Sequence, residues 1–439
     1  MKKLISILMA IMLMVVLVIP MTQAAEPLKP FRIMLDGAMF FTGEAAKTLP
    51  EQDKALKPGD LGRFVLEMES YLEKQLNNDG YTLVVEDWGW AEQLQQKQIA
   101  AFMAKDGPDL FVGETQQPGF AMQGYYEPLP ESLVSILKKD VVSASWGPMQ
   151  TKGKIYGLAA QPGVNSLYWN KDLLKAARLD PEKGPKTWDE LLAMATTITK
   201  AGKGKFYGGG TYLGPNYGGS LRYTVFPLML GGGYADEDGT PTFDSSANIK
   251  AFEYLRLLAK QCPQGIVVGP GEGPWWDALN RKEVAITVDG PWRITEGSKM
   301  GLNIGVGSLP LPKGGKPANV TIGAAFYAVH TFSKNKEEGF KFLQYLVSKD
   351  AQAVIAKWAI RAPVLKKVAE DPSFKNGYPA MYTVYQTMKE GVKGLPTFKK
   401  NDAKVWDVWN KAVSMIVITN DPVAKILKNA QKEALGLVK

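Results

Sequence analysis

The sequence predicts an α/β protein of two lobes, and three observations carry that reading. Strand-like and helix-like segments alternate along most of the chain, as in sheets covered by helices. At 439 residues the chain exceeds the size at which single hydrophobic cores stop growing. Late in the chain, Leu309-Pro310-Leu311-Pro312-Lys313-Gly314-Gly315 forms a stiff, turn-rich connection, because two prolines one residue apart make a poor element interior.

The elements follow in order. Phe31 to Leu35 reads as a first strand, and Leu61 to Leu76 carries helical apolar spacing at Phe64, Val65, Met68, Tyr71 and Leu72. Tyr81 to Val85 reads as a strand, Ala91 to Ala104 as a helix and Pro108 to Val112 as a short buried strand, giving a mostly parallel arrangement. Lys154 to Leu158 and Leu167 to Asn170 read as two more strands. Thr187-Trp188-Asp189-Glu190 is a capping box: Thr187 caps the following helix, and Glu190 reaches back to the cap's own backbone amide. Residues 247 to 260 are an amphipathic helix, Val284 to Val288 a strand, and residues 402 to 417 and Val423 to Leu435 closing helices. The clusters Gly208-Gly209-Gly210 and Gly231-Gly232-Gly233 read as turns.

At the N-terminus, Lys2 and Lys3 precede the apolar run Leu4 to Ile19, then Pro20 and the small-residue stretch Thr22-Gln23-Ala24-Ala25. That is the layout of a secretory signal peptide over residues 1–25, its apolar run short of the roughly 20 residues that span a bilayer. With no cysteine near the cleavage site for lipid attachment, the mature chain is expected free in the periplasm or outside the cell.

Composition excludes several classes. The formal charge is +8, but lysines are interspersed with acids rather than gathered in a basic block, which argues against nucleic acid as a partner. Cys262 is the only cysteine, so an exported chain must fold on its core without an internal disulfide. His330 is the only histidine and reads as a strand-end residue after Val329. No metal-ligand spacing occurs, and the glycine clusters lack both the P-loop lysine and the dinucleotide fingerprint, so neither metal nor cofactor is expected.

Several short segments then fall in a telling order: Gly107-Pro108-Asp109, Tyr156-Gly157-Leu158, Tyr168-Trp169-Asn170-Lys171-Asp172-Leu173, Thr187-Trp188-Asp189-Glu190-Leu191, Asp289-Gly290-Pro291-Trp292, Leu309-Pro310-Leu311-Pro312 and Ser333-Lys334-Asn335-Lys336-Glu337-Glu338. In that order the chain resembles the extracellular solute-binding proteins of sugar ABC importers, the family that includes maltose-binding protein. The resemblance implies a periplasmic-binding-protein-like type II fold, two α/β lobes with a hinge and an interlobe ligand cleft. It implies one lobe from residues 26–158 and 313–362, the other from 162–308 and 365–439, and crossings near 158–161, 309–312 and 362–365. It also implies a monomer that closes on a small polar ligand, most simply a mono- or oligosaccharide, and presents it to a membrane permease without catalysis or cofactor.

Sugars offer faces of C–H groups and edges of hydroxyls, so their sites pair aromatic planes with planar polar side chains. Trp292, after Asp289-Gly290-Pro291 at the end of a predicted strand, is the favoured platform by family position. The same carry-over points to Asp36, Glu114, Thr115 and Gln116 beyond the ends of the first and third strands, where an α/β crevice lies. It points also to Asn216 and Tyr217 after Gly214-Pro215. Gln161 and Asn165, near a crossing, are further polar candidates. Trp275 and Trp276, placed before a helix from Asp277 to Arg281, are expected to divide between ligand and core. Trp88 alternates with Gly89 and Trp90 and is a candidate platform, whereas Trp188, inside the capping box, is structural. Trp406 and Trp409 read as packing residues. The stretch Gly113-Glu114-Thr115-Gln116 lacks the tryptophan that maltose-binding protein has there, which argues against maltodextrin itself.

Two other functions share parts of this pattern. A receptor that presents its ligand to a membrane sensor kinase would need the same binding half. A secreted glycoside hydrolase would need two carboxylates flanking a sugar, for which Asp36 and Glu114 are the candidates.

Overall fold

The computed structural model describes residues 27–35, 61–89, 91–113, 117–210, 212–214, 219, 222–236, 238–263, 265–269, 271–358, 361–389, 392–394 and 398–439. The predicted signal segment lies outside them. Among the described residues no helix is long and apolar enough to cross a membrane.

Two four-stranded sheets organise the chain. The first runs, in spatial order, Phe326–Val329, Leu110–Gly113, Lys29–Leu35 and Tyr81–Asp87. Its last three strands are parallel, and Phe326–Val329 is antiparallel to Leu110–Gly113. Helices Leu61–Asn78 and Lys336–Leu346 cover it, with Phe64, Met68, Leu72, Phe342 and Leu343 buried in its core. His330 ends this sheet as expected, buried with its ring stacked on Phe111 at 5.0 Å.

The second sheet runs Ile304–Gly307, Ser166–Asn170, Val284–Asp289 and Tyr207–Gly209. Here the arrangement is mixed: Ser166–Asn170 is antiparallel to both neighbours, and Tyr207–Gly209 runs parallel to Val284–Asp289. Its core takes Leu191, Ala195 and Ile198 from helix Trp188–Gly202, Phe252 and Leu255 from Ser246–Ala259, and Trp409 from Asp402–Ile418. Trp409 is surrounded by Tyr234, Phe243 and Phe252, and Trp406 packs on Tyr234 and Phe398, so both are packing residues.

Two local readings are corrected. Gly208 to Gly210 are not a turn, since Tyr207–Gly209 is a strand pressed against helix Trp188–Gly202; a Cβ on Gly208 would lie 2.0 Å from the Ala195 carbonyl oxygen. The capping box is half as expected. Thr187 Oγ1 accepts the Glu190 amide at 3.1 Å, but Glu190 Oε2 takes the amide of Lys186, one residue earlier, at 2.6 Å. The Thr187 region is also engaged by a β-bridge to Leu311.

The cores divide the chain at other places than the resemblance implied. Val164 belongs to the first core and Leu167 to the second, so the first change lies a few residues beyond 158–161. Leu309, Val320 and Ile322 stay with the second core and Ala325 opens the return to the first. The Leu309–Pro312 segment is not a crossing because it is clasped to the second lobe: Trp188 N donates to Leu311 O at 3.1 Å and Leu311 N to Lys186 O at 3.0 Å. Val364 through Val392 remain with the first core, and Phe398 joins the second. Residues 362–365 are held instead inside the first lobe, where Val142 N donates to Val364 O at 3.0 Å. A third, three-stranded sheet of Val392–Lys393, Asn319–Ile322 and Gly163–Val164 gathers the segments that change core.

Candidate ligand-binding cleft

Strand Val284–Asp289 is buried along its whole length and delivers its last residue to the edge of the second lobe. Gly290 and Pro291 turn the chain, and Trp292 starts helix Trp292–Lys299. The turn needs glycine: a Cβ on Gly290 would sit 2.3 Å from the Trp292 indole, which lies over it. Trp292 is half-buried, packs against the second core, and carries a buried indole Nε1 with no partner among the described residues.

Two neighbours face this ring. Trp276 is half-buried, with its centroid 6.4 Å from that of Trp292 and its plane tilted 31°. The Arg361 guanidinium lies 5.1 Å from the Trp292 ring centre. Arg361 directly precedes Ala362 of the first core, so this contact joins the two lobes. Ile294 and Val306, from the second lobe's elements, also pack against the first core.

Behind the aromatics lies a buried charge cluster. Asp289, fully enclosed, holds Arg222 through Oδ1 at 3.1 Å and Arg293 through Oδ2 at 3.1 Å. Arg222 also pairs with Glu272 at 3.0 Å. Burial works against the Arg222 charge, but the Asp289 and Glu272 carboxylates outweigh it and hold the guanidinium above its usual pKa. Burial, with Asp289 adding to it, drives the Tyr168 phenol far above its ordinary range. Arg293 Nη1 is buried without a partner among the described residues, and Arg293 lines a partly open pocket together with Tyr168 and Thr287.

The expected residues fall into three groups. Trp292 and Trp276 come together, while Gln161, on the segment where the chain leaves the first core, is buried with an Oε1 that has no partner among the described residues. Trp275 is corrected to a core residue: it lies inside helix Gly273–Asn280 rather than before a helix, is 1% exposed, packs on Tyr212 and donates Nε1 to Gly210 O at 2.5 Å. Asn165 is fully buried, its backbone clasped by the Asn319 side chain at 3.1 and 2.7 Å. Trp88 is half-buried at the end of its strand, on Phe111, and donates to Glu86 at 3.0 Å. Asp36, Glu114, Thr115, Gln116, Asn216 and Tyr217 lie outside the described residues.

Sequence reading missed Arg222, Glu272, Arg293 and Arg361. Only Arg293 left a signal, standing four residues after Asp289 in Asp289-Gly290-Pro291-Trp292-Arg293, the spacing of a helical ion pair.

Comparison with known proteins places the family and the fold. The family described as "Bacterial extracellular solute-binding protein" matches residues 64–353. The galactooligosaccharide-binding protein of Bacillus subtilis is 24% identical over 353 residues, covering 76% of this chain and 78% of that protein. Among solved structures, the sugar-binding protein MalE of Xanthomonas citri superposes with a TM-score of 0.73 at 20% identity, over 93% of this chain and 97% of that one. The cyclic α-maltosyl-1,6-maltose binding protein of Arthrobacter globiformis gives a TM-score of 0.73 at 16% identity, over 93% and 99%. The fold is therefore that of type II periplasmic binding proteins, two α/β lobes with a cleft between them.

Proposed function

The chain belongs to the bacterial extracellular solute-binding protein family, and from that premise we propose that it captures a mono- or oligosaccharide between its lobes and delivers it to an ABC importer permease. The observation that carries the sugar reading is the half-buried Trp292, a ring at the boundary between the lobes whose indole N–H is unpartnered among the described residues. Its plane suits the C–H face of a pyranose, and the Gln161 amide oxygen suits a hydroxyl. The sugar-binding names of the B. subtilis, X. citri and A. globiformis proteins support the same ligand class.

The mechanism is binding and release, with no bond made or broken. The lobes pivot about the segments that change core, close on the ligand and so exclude water from its hydrogen bonds, and the permease reads the closed form. Asp289 is not a hydrolytic carboxylate in this scheme, since both its oxygens are committed to buried guanidiniums. The N-terminal segment is a cleaved secretion signal, and the protein works as a monomer outside the cytoplasm.

A thermal-shift panel of mono- and oligosaccharides, with oligopeptides, polyamines and organophosphates as the other arms, tests the ligand class. A ligand at about 100 times its Kd adds roughly 2.7 kcal/mol of stability. A shift with sugars supports the reading, and a shift confined to another arm overturns it.

A further inference from the structure

We infer that Asp289 is the positioning residue of the Trp276–Trp292 pair, an inference that rests on the ligand reading above only for its consequence in binding. Three connections leave this one carboxylate. Through Oδ1 it holds Arg222, whose Nη2 holds Glu272 Oε2, and that same oxygen accepts the Trp276 indole N–H at 3.2 Å. Through Oδ2 it holds Arg293, whose guanidinium lies 4.0 Å from the centre of the Trp276 ring. Oδ1 also accepts the Gly290 amide at 2.8 Å, fixing the turn on which the Trp292 indole rests.

Trp276 is thus gripped at its edge and on a face by groups that trace back to Asp289, and Trp292 is placed by the backbone that Asp289 locks. Helix Gly273–Asn280 and the Gly290 turn are different segments, so their two rings keep a defined angle only if something spans both. The charge cluster spans both. Supporting shells of this kind hold a binding constellation within the tolerance that recognition demands.

The test uses the full protein labelled with 5-fluorotryptophan, its resonances assigned by single Trp→Phe variants. Glu272→Ala removes the Trp276 acceptor from a partly exposed position, and Asp289→Asn removes the hub. Both are expected to shift or broaden the Trp276 resonance, and Asp289→Asn that of Trp292 as well, with Trp188 and Trp409 unmoved; Glu272→Gln, which keeps an acceptor, restores the Trp276 signal. Unmoved Trp276 and Trp292 resonances overturn the inference, as does a shift spread over all four. If Asp289→Asn does not fold, Arg293→Lys, which cuts the contact that Asp289 Oδ2 holds on the Trp276 ring, takes its place: a shifted Trp276 resonance supports the inference and an unmoved one overturns it.

The second arm titrates the variants with whichever of maltotriose, mannotriose and tagatose most raises the wild-type melting temperature. A roughly tenfold loss is expected for Glu272→Ala, and none in addition when Trp276→Ala is already present. A Glu272→Ala loss that persists in the Trp276→Ala background overturns the inference. Resonances that move while affinity stays at the wild-type value sink the sugar-platform reading and leave the positioning result standing.

Discussion

The guanidinium of Arg361 lies 5.1 Å from the centre of the Trp292 indole, joining the first lobe to the ring proposed as the sugar platform of the second. A desolvated cation–π contact of this kind is worth about 0.5 to 2 kcal/mol. Because it spans the lobes, it favours the closed arrangement, and Arg361→Ala should weaken ligand binding by a similar amount. Calorimetric titration measures the affinity, and small-angle scattering of the ligand-free variant should show a larger radius of gyration. Unchanged affinity and dimensions would remove Arg361 from the closure mechanism.

Gln352, fully buried, connects segments far apart in sequence. Its Nε2 donates to Ala160 O at 3.0 Å and Leu346 O at 2.8 Å, and its Oε1 accepts the Val364 amide at 2.7 Å. Gln352→Leu fills the space but leaves these buried backbone groups unpaired, at a cost of about 3 kcal/mol. Urea unfolding should show that loss, and a loss under about 1 kcal/mol would mean that water replaces the amide.

Asp402, half-buried in the first turn of helix Asp402–Ile418, accepts the Phe398 amide at 2.7 Å. Burial pushes its pKa up to about 6, with the hydrogen bond pulling the other way. An acid whose folded pKa lies above its unfolded value of about 3.9 binds its proton more tightly when folded. Its stabilising contribution is therefore complete below pH of about 4 and is lost as pH rises through about 6. Asp402→Asn should be more stable than wild type by about 1 kcal/mol at neutral pH and no more stable at pH near 4, a discounted figure because the group is partly solvated. Equal differences at the two pH values would contradict the assignment.

What the sequence made legible was what is local. The helix Trp188–Gly202 announced itself by Thr187 and Glu190, and the strand Val284–Asp289 by Val284, Ala285, Ile286 and Val288, broken by Thr287 alone before Asp289. The Asp289–Trp292 segment carried enough family character to nominate its tryptophan before any geometry. The places where the chain changes lobe were not legible, because a proline-rich connection looks the same whether it crosses a hinge or, like Leu311, is clasped beside Lys186 and Trp188. Gly208 likewise hid a helix–strand approach that only the neighbouring Ala195 explains. The charge cluster was invisible for the same reason: Arg222, Glu272 and Asp289 meet across long stretches of chain, and no spacing rule records that meeting.

The central claim, a sugar held against Trp292 between the lobes, is tested most directly by titrating two tryptophan variants with the sugar that binds the wild type. Trp292→Ala truncates the proposed platform and should weaken binding by about 1 to 3 kcal/mol with a smaller effect on stability. Trp188→Ala removes a core ring, 5% exposed and stacked on Tyr254 at 4.4 Å, and should cost about 3 to 5 kcal/mol of stability while the folded fraction keeps its affinity. An unchanged affinity for Trp292→Ala would contradict the account.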